Sequence, residues 1–76
     1  MDVTAKVVVN TKETRSEGTE YEQVYLGFGA DYADGRNKDW AVATPSLTVA
    51  MTVKPEVAEH FQQGQTYTLV FRPNED

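Results

Sequence analysis

The side chains best equipped for chemistry are few: one histidine, twelve carboxylates, two serines and no cysteine. His60 stands beside Glu59 without a thiolate partner, so neither a zinc site nor a catalytic triad follows from it. A histidine facing solvent on a helix is the expectation. Ser16 and Ser46 lack the strand-to-helix glycine setting of a nucleophile elbow. Gly27-x-Gly29 begins like a dinucleotide loop, but Tyr32 occupies the third glycine position and no helix follows. Asp31, Asp34 and Asp39 surround Gly35 as in a calcium loop. With Gly35 at the turn position, however, the first and third ligand slots fall on Ala30 and Tyr32, and the last on Ala41. No catalytic residue, metal or cofactor is assigned, and the expectation is a protein that is not an enzyme.

One constellation survives. Tyr21, Tyr25, Tyr32 and Trp40 lie in the same stretch as Arg36 and Lys38. Exposed aromatics beside cations can stack bases and hold phosphates, as small OB-type barrels do. The same residue types make the anchors and rim charges of a protein-binding hot spot. A third reading has Trp40 and Tyr32 simply capping a small core. The loop from Asp31 to Trp40 is the expected centre of function, because it joins turn residues, cations and aromatics on one connection.

The elements that must position these residues are mostly strands. Val3, Ala5, Val7 and Val9 alternate with Thr4, Lys6 and Val8, the period of a half-buried strand. Residues 10–18 are polar throughout and read as an exposed connection. From Thr19 the alternation returns, with Val24, Leu26, Phe28 and Ala30 on one face and Tyr21, Gln23, Tyr25 and Gly27 on the other. This second strand is predicted antiparallel to the first, with Gly27 and Gly29 marking a bend or bulge. Residues 33–39 carry the strongest turn signal, an Asp34-Gly35 hairpin type. Pairing that begins near Ala41 would end at Pro45. Leu47, Val49, Met51 and Val53 then face inward on the clearest strand. Pro55 opens a helix of about two turns whose stripe is Val57, Ala58 and Phe61, with Gly64 as its stop. Tyr67, Leu69 and Phe71 share a face of the last strand, and residues 74–76 form a frayed tail.

The predicted fold is therefore one mainly β domain over residues 1–76, an antiparallel, twisted or barrel-like sheet with a short helix before the last strand. A closed small barrel is the first expectation and an open sheet carrying one helix the second. The predicted inner residues are Val7, Val24, Leu26, Phe28, Leu47, Val49, Met51, Phe61, Leu69 and Phe71. A chain of 76 residues without disulfides has a thin stability margin, which makes self-association an expectation, as a dimer through a sheet edge or the tyrosine face. The net charge of −5 argues against nonspecific binding to a nucleic-acid backbone. No basic leader followed by an apolar run is read at the N-terminus, and no apolar stretch is long enough for a bilayer.

The second half carries Asn37-Lys38-x-Trp40, then Thr44-Pro45, the alternation from Leu47 to Val53, and Phe61-x-x-Gly64-x-x-Tyr67-x-Leu69-x-Phe71. This layout resembles a group of very small β-rich proteins encoded by tailed bacteriophages. The resemblance implies a phage protein acting in the host bacterial cytoplasm, and it transfers no catalytic or binding residue. The reading that results is a non-catalytic accessory protein that binds a host or phage protein, with single-stranded nucleic acid as the alternative ligand.

Overall fold

Small β-branched residues at every second position make the first strand, and a single inserted residue decides where it leads. A computed structural model describes residues 2–31, 35–41 and 46–74, without the side chain of Arg36. Strand β1 runs from Val3 to Arg15, well past the Asn10 boundary that the apolar pattern implies. Ala5, Val7 and Val9 are buried on its inner face. Between Val9 and Thr11 its pairing with the next strand slips by one residue, a β-bulge at Asn10. Beyond the bulge the inward positions are Lys12 and Thr14, opposite Leu26 and Val24. The strand therefore continues while its hydrophobic signature stops.

Strand β2 spans Gln23–Ala30 and pairs antiparallel with β1, as expected. Val24, Leu26, Phe28 and Ala30 are all buried, so the predicted face is the observed one. The stretch from Thr19 to Glu22 belongs to the preceding turn instead of to the strand, because its backbone closes hydrogen bonds locally. The glycines of β2 do not themselves bulge. They lie across from the bulge, where a Cβ on Gly27 would stand 3.2 Å from Asn10 Oδ1, and one on Gly29 3.1 Å from Asn10 Nδ2. Their missing side chains make the space that the Asn10 amide occupies on the outer face.

After β2, Gly35–Asp39 forms a 3₁₀ helix, while Asp34 of the expected Asp34-Gly35 turn lies outside the described residues. So do Tyr32 and Ala33, and Val42 to Pro45, on which most of the expected pairing after Ala41 falls. Strand β3, Thr48–Val53, pairs antiparallel with β2, and strand β4, Thr66–Phe71, pairs antiparallel with β1. Between them, helix α1 is a single turn, Pro55–Ala58, with proline in its first turn and no side-chain cap. It is shorter than the predicted two turns because the chain tightens at once, His60 N–H donating to the Val57 carbonyl and Phe61 N–H to that of Ala58. Gly64, at a φ of 88°, turns the chain into β4.

The sheet order is β3-β2-β1-β4. Among the described residues β3 and β4 are the outer strands and are not paired with each other, so the described part of the sheet is open. The central strands carry the core, onto which Trp40, Leu47, Val49, Val53, Phe61, Tyr67 and Leu69 pack half-buried. Two predicted inner residues are corrected here: Met51 is 37% exposed and Phe71 51% exposed. Both point to the inner face, but each sits on an outer strand of the described sheet.

Candidate functional site

Where β2 ends, Lys6 of β1 still presents a peptide group, and the Asn37 carboxamide takes it over. Asn37 Oδ1 accepts from the Lys6 N–H at 2.8 Å, and Asn37 Nδ2 donates to the Lys6 carbonyl at 2.8 Å and to the Asp31 carbonyl at 3.0 Å. The Trp40 indole N–H donates to the same Oδ1 at 3.3 Å. The side chain is fully buried with both its donors and its acceptor engaged, as a buried amide must be. It acts as an extra rung of the ladder and fixes the 3₁₀ helix to the sheet. Sequence reading missed this role; Asn37 stood only inside the Asn37-Lys38-x-Trp40 pattern, and nothing in its type marks burial.

Trp40 is thereby half-buried against the core, its N–H engaged inside the protein, while Lys38 and Asp39 are exposed. With Asp2, Val3, Thr4 and Asp39, Trp40 lines a shallow depression of about 210 Å³. Tyr32 lies outside the described residues, and so does the side chain of Arg36.

The other two tyrosines belong to the opposite end of the sheet. Tyr25 pairs with Glu13 of β1, seven residues along the strand from Lys6, a separation of about 23 Å at the usual strand rise. The proposed constellation thus divides into a Trp40 end and a Tyr21–Tyr25 end. Tyr25 is half-buried on the outer face, and the cation over its ring is the Arg15 guanidinium, 4.9 Å from the centroid. Arg15 could not be singled out from the sequence, because its place beside Tyr25 depends on the bulged register of β1.

Tyr21 is 74% exposed, on a turn held by a dense set of local bonds. Thr19 N–H donates to the Ser16 carbonyl at 3.2 Å, Thr19 Oγ1 donates to that carbonyl at 2.7 Å, and Tyr21 N–H donates to Thr19 Oγ1 at 3.1 Å. Gly18 N–H donates to Glu22 Oε1 at 2.9 Å, with Gly18 at a φ of 82°. Beside the ring opens a depression of about 390 Å³ lined by Ser16, Tyr21 and Glu22 of the turn, by Gln23 at the start of β2, and by Val53 and Lys54 at the end of β3. Lys54 joins this end only through the β2–β3 pairing, a contact between distant residues that sequence reading did not supply.

A third surface lies on the inner face. Val7 and Phe28 floor a trough of about 170 Å³ whose sides are Val49 and Met51 of β3 and Leu69 of β4. Phe61 and Tyr67 close one end, Phe61 packing edge-on to Phe28 with ring centroids 5.6 Å apart. Tyr67 is fixed by donating its hydroxyl to the His60 carbonyl at 3.1 Å and accepting from the Gln62 N–H at 2.9 Å. The His60 ring itself is exposed.

Among the described residues no three carboxylate or histidine side chains gather in a way that could hold a metal ion, and no helix is long and apolar enough to cross a membrane. Comparison of the chain with protein-family models, with curated proteins and with solved structures returned no match.

Proposed function

We propose that this chain is a non-catalytic phage accessory protein that acts in the bacterial cytoplasm by binding a host or phage protein, and that the Tyr21 turn is its grip. The reading rests on Tyr21: an aromatic ring that is 74% exposed on a turn already locked by hydrogen bonds. An anchor whose backbone is ordered before contact loses little entropy on binding, and tyrosine is among the commonest hot-spot residues. The depression beside it offers room for a partner side chain, with Lys54 and Glu22 as rim charges of opposite sign.

Single-stranded nucleic acid is the second reading, favoured by the cations that flank this end, Arg15 over Tyr25 and Lys54 beside Tyr21. The two readings separate in one set of experiments. The chain immobilised as bait in bacterial lysate should retain a discrete protein, and Tyr21→Ala should lose it, at a cost of about 2 kcal/mol or more. Labelled single-stranded oligonucleotide should not bind at either about 50 or about 200 mM salt. Oligonucleotide binding that collapses with salt, and with charge reversal at Arg15 and Lys54, would replace the protein-partner reading by the nucleic-acid one.

A further inference from the structure

The inner face of the sheet is only partly roofed. Helix α1 and the turn after it cover one end through Ala58 and Phe61, and Trp40 packs on the core at the 3₁₀ helix. Between these lies the apolar trough, with Met51 on its β3 side and Leu69 on its β4 side. Phe71, two residues further along β4, and its cross-strand neighbour Val3 lie beyond the trough on the same face. Met51, Val3 and Phe71 are 37%, 42% and 51% exposed. The molecule is correspondingly flat, 43 × 35 × 16 Å, with a radius of gyration of 14.4 Å where a domain of this length ordinarily has about 11.4 Å.

Its accessible surface is 5603 Å², against roughly 4,650 Å² for a folded monomer of this mass. The excess, roughly 950 Å², is close to the ~800 Å² that each partner loses in an interface of standard size. A small molecule is a poor occupant, because a trough of about 170 Å³ is well below the ~300 Å³ at which ligand pockets begin.

We infer that the missing cover is a second copy of this chain, packed by its own inner face across a two-fold axis. The whole-molecule surface excess is of the order of one protomer's share. The inward side chains of β3 and β4 are Val49, Met51, Val53, Tyr67, Leu69 and Phe71, all uncharged, so an isologous contact sets no like charges against each other there. A partner of different sequence would find no charge on these strands by which to be selected. This dimer stands apart from the Tyr21 reading, since the turn lies beyond the trough, and it differs from pairing through a sheet edge or the tyrosines.

The test is sedimentation equilibrium together with methyl NMR of a methionine-labelled sample. The chain has two methionines, Met1 and Met51, so the trough reports through one assignable signal. Wild type should sediment as a dimer at about 100 µM, and the Met51 methyl should shift on dilution to about 1 µM as mass action separates the copies. Two copies each carrying −5 repel at long range, so raising salt from about 50 to about 500 mM should tighten the dimer. Met51→Glu should weaken it by at least about tenfold, because a carboxylate would be buried without a partner. Phe71→Glu, at a more exposed rim position, should do the same and serves if Met51→Glu fails to fold. Tyr21→Ala should dimerise like wild type. A monomer at about 500 µM overturns the inference. So does a folded Phe71→Glu that dimerises unchanged, a Met51 methyl indifferent to dilution, or a dimer loosened by salt.

Discussion

Asn37 shows how much of this fold depends on one amide. Its carboxamide supplies hydrogen bonds to the Lys6 peptide group, the Asp31 carbonyl and the Trp40 indole, so Asn37→Ala removes one hydrogen bond from each of several part-buried polar groups at once. The expected loss is about 3 kcal/mol by urea denaturation. Asn37→Asp keeps the acceptor but points a second oxygen at the two carbonyls. Only the protonated acid can donate to one of them, so the neutral form is favoured in the folded state. The variant's deficit should therefore be largest above the raised folded-state value and shrink as pH falls from there towards the ordinary carboxylate range, while that of Asn37→Ala should not follow this course. The glycines make a second comparison. An added methyl at Gly29 meets only the Asn10 amide, the movable end of an exposed side chain, whereas at Gly27 it also meets Thr11 Cβ at 3.3 Å, which is held by the strand. Gly27→Ala should therefore destabilise by on the order of 1 kcal/mol more than Gly29→Ala, read from paired urea midpoints.

At the scale of elements, the bulge at Asn10 organises the sheet. It turns Lys12 inward, where its ammonium donates to the Phe61 carbonyl at 2.8 Å and the Ala58 carbonyl at 3.1 Å. These carbonyls close the helical turn, so β1 holds α1 in place through a charge-assisted contact. Lys12→Met should cost about 2 kcal/mol, with faster amide exchange at His60 and Phe61. Leu26→Ala, a truncation at a fully buried site on β2, should cost about 2–5 kcal/mol, seen as a lowered urea midpoint. The inner face of β2 and the apolar half of β1 could be read from alternation alone, because each buried residue there lies two positions from the next. The second half of β1 could not, because the bulge shifts the phase and a lysine and a threonine take the inward places. The tyrosine end was half legible for a similar reason. Tyr21 and Tyr25 are near in sequence, but Arg15 and Lys54 join them only through strand pairing. Asn37 was hidden altogether, since burial of an amide depends on the peptide it meets, and Lys6 is thirty-one residues away.

At the scale of the whole molecule, the described strands form a single sheet, in keeping with the thin margin expected of so short a chain. Edge strands β3 and β4 contain no charged residue, proline or glycine, the devices that commonly discourage association. Their inward side chains are nonetheless apolar, and the trough between them exposes what a second layer would normally bury. The central claim is that this plate is completed by a second copy and draws stability from it. The most direct test is the urea midpoint measured at protein concentrations 100-fold apart. If folding and association are coupled, mass action contributes about 2.7 kcal/mol per dimer over that range, which should raise the midpoint by roughly 1 M. A midpoint that stays fixed across the same range would contradict the account, because the chain would then be as stable alone as in company.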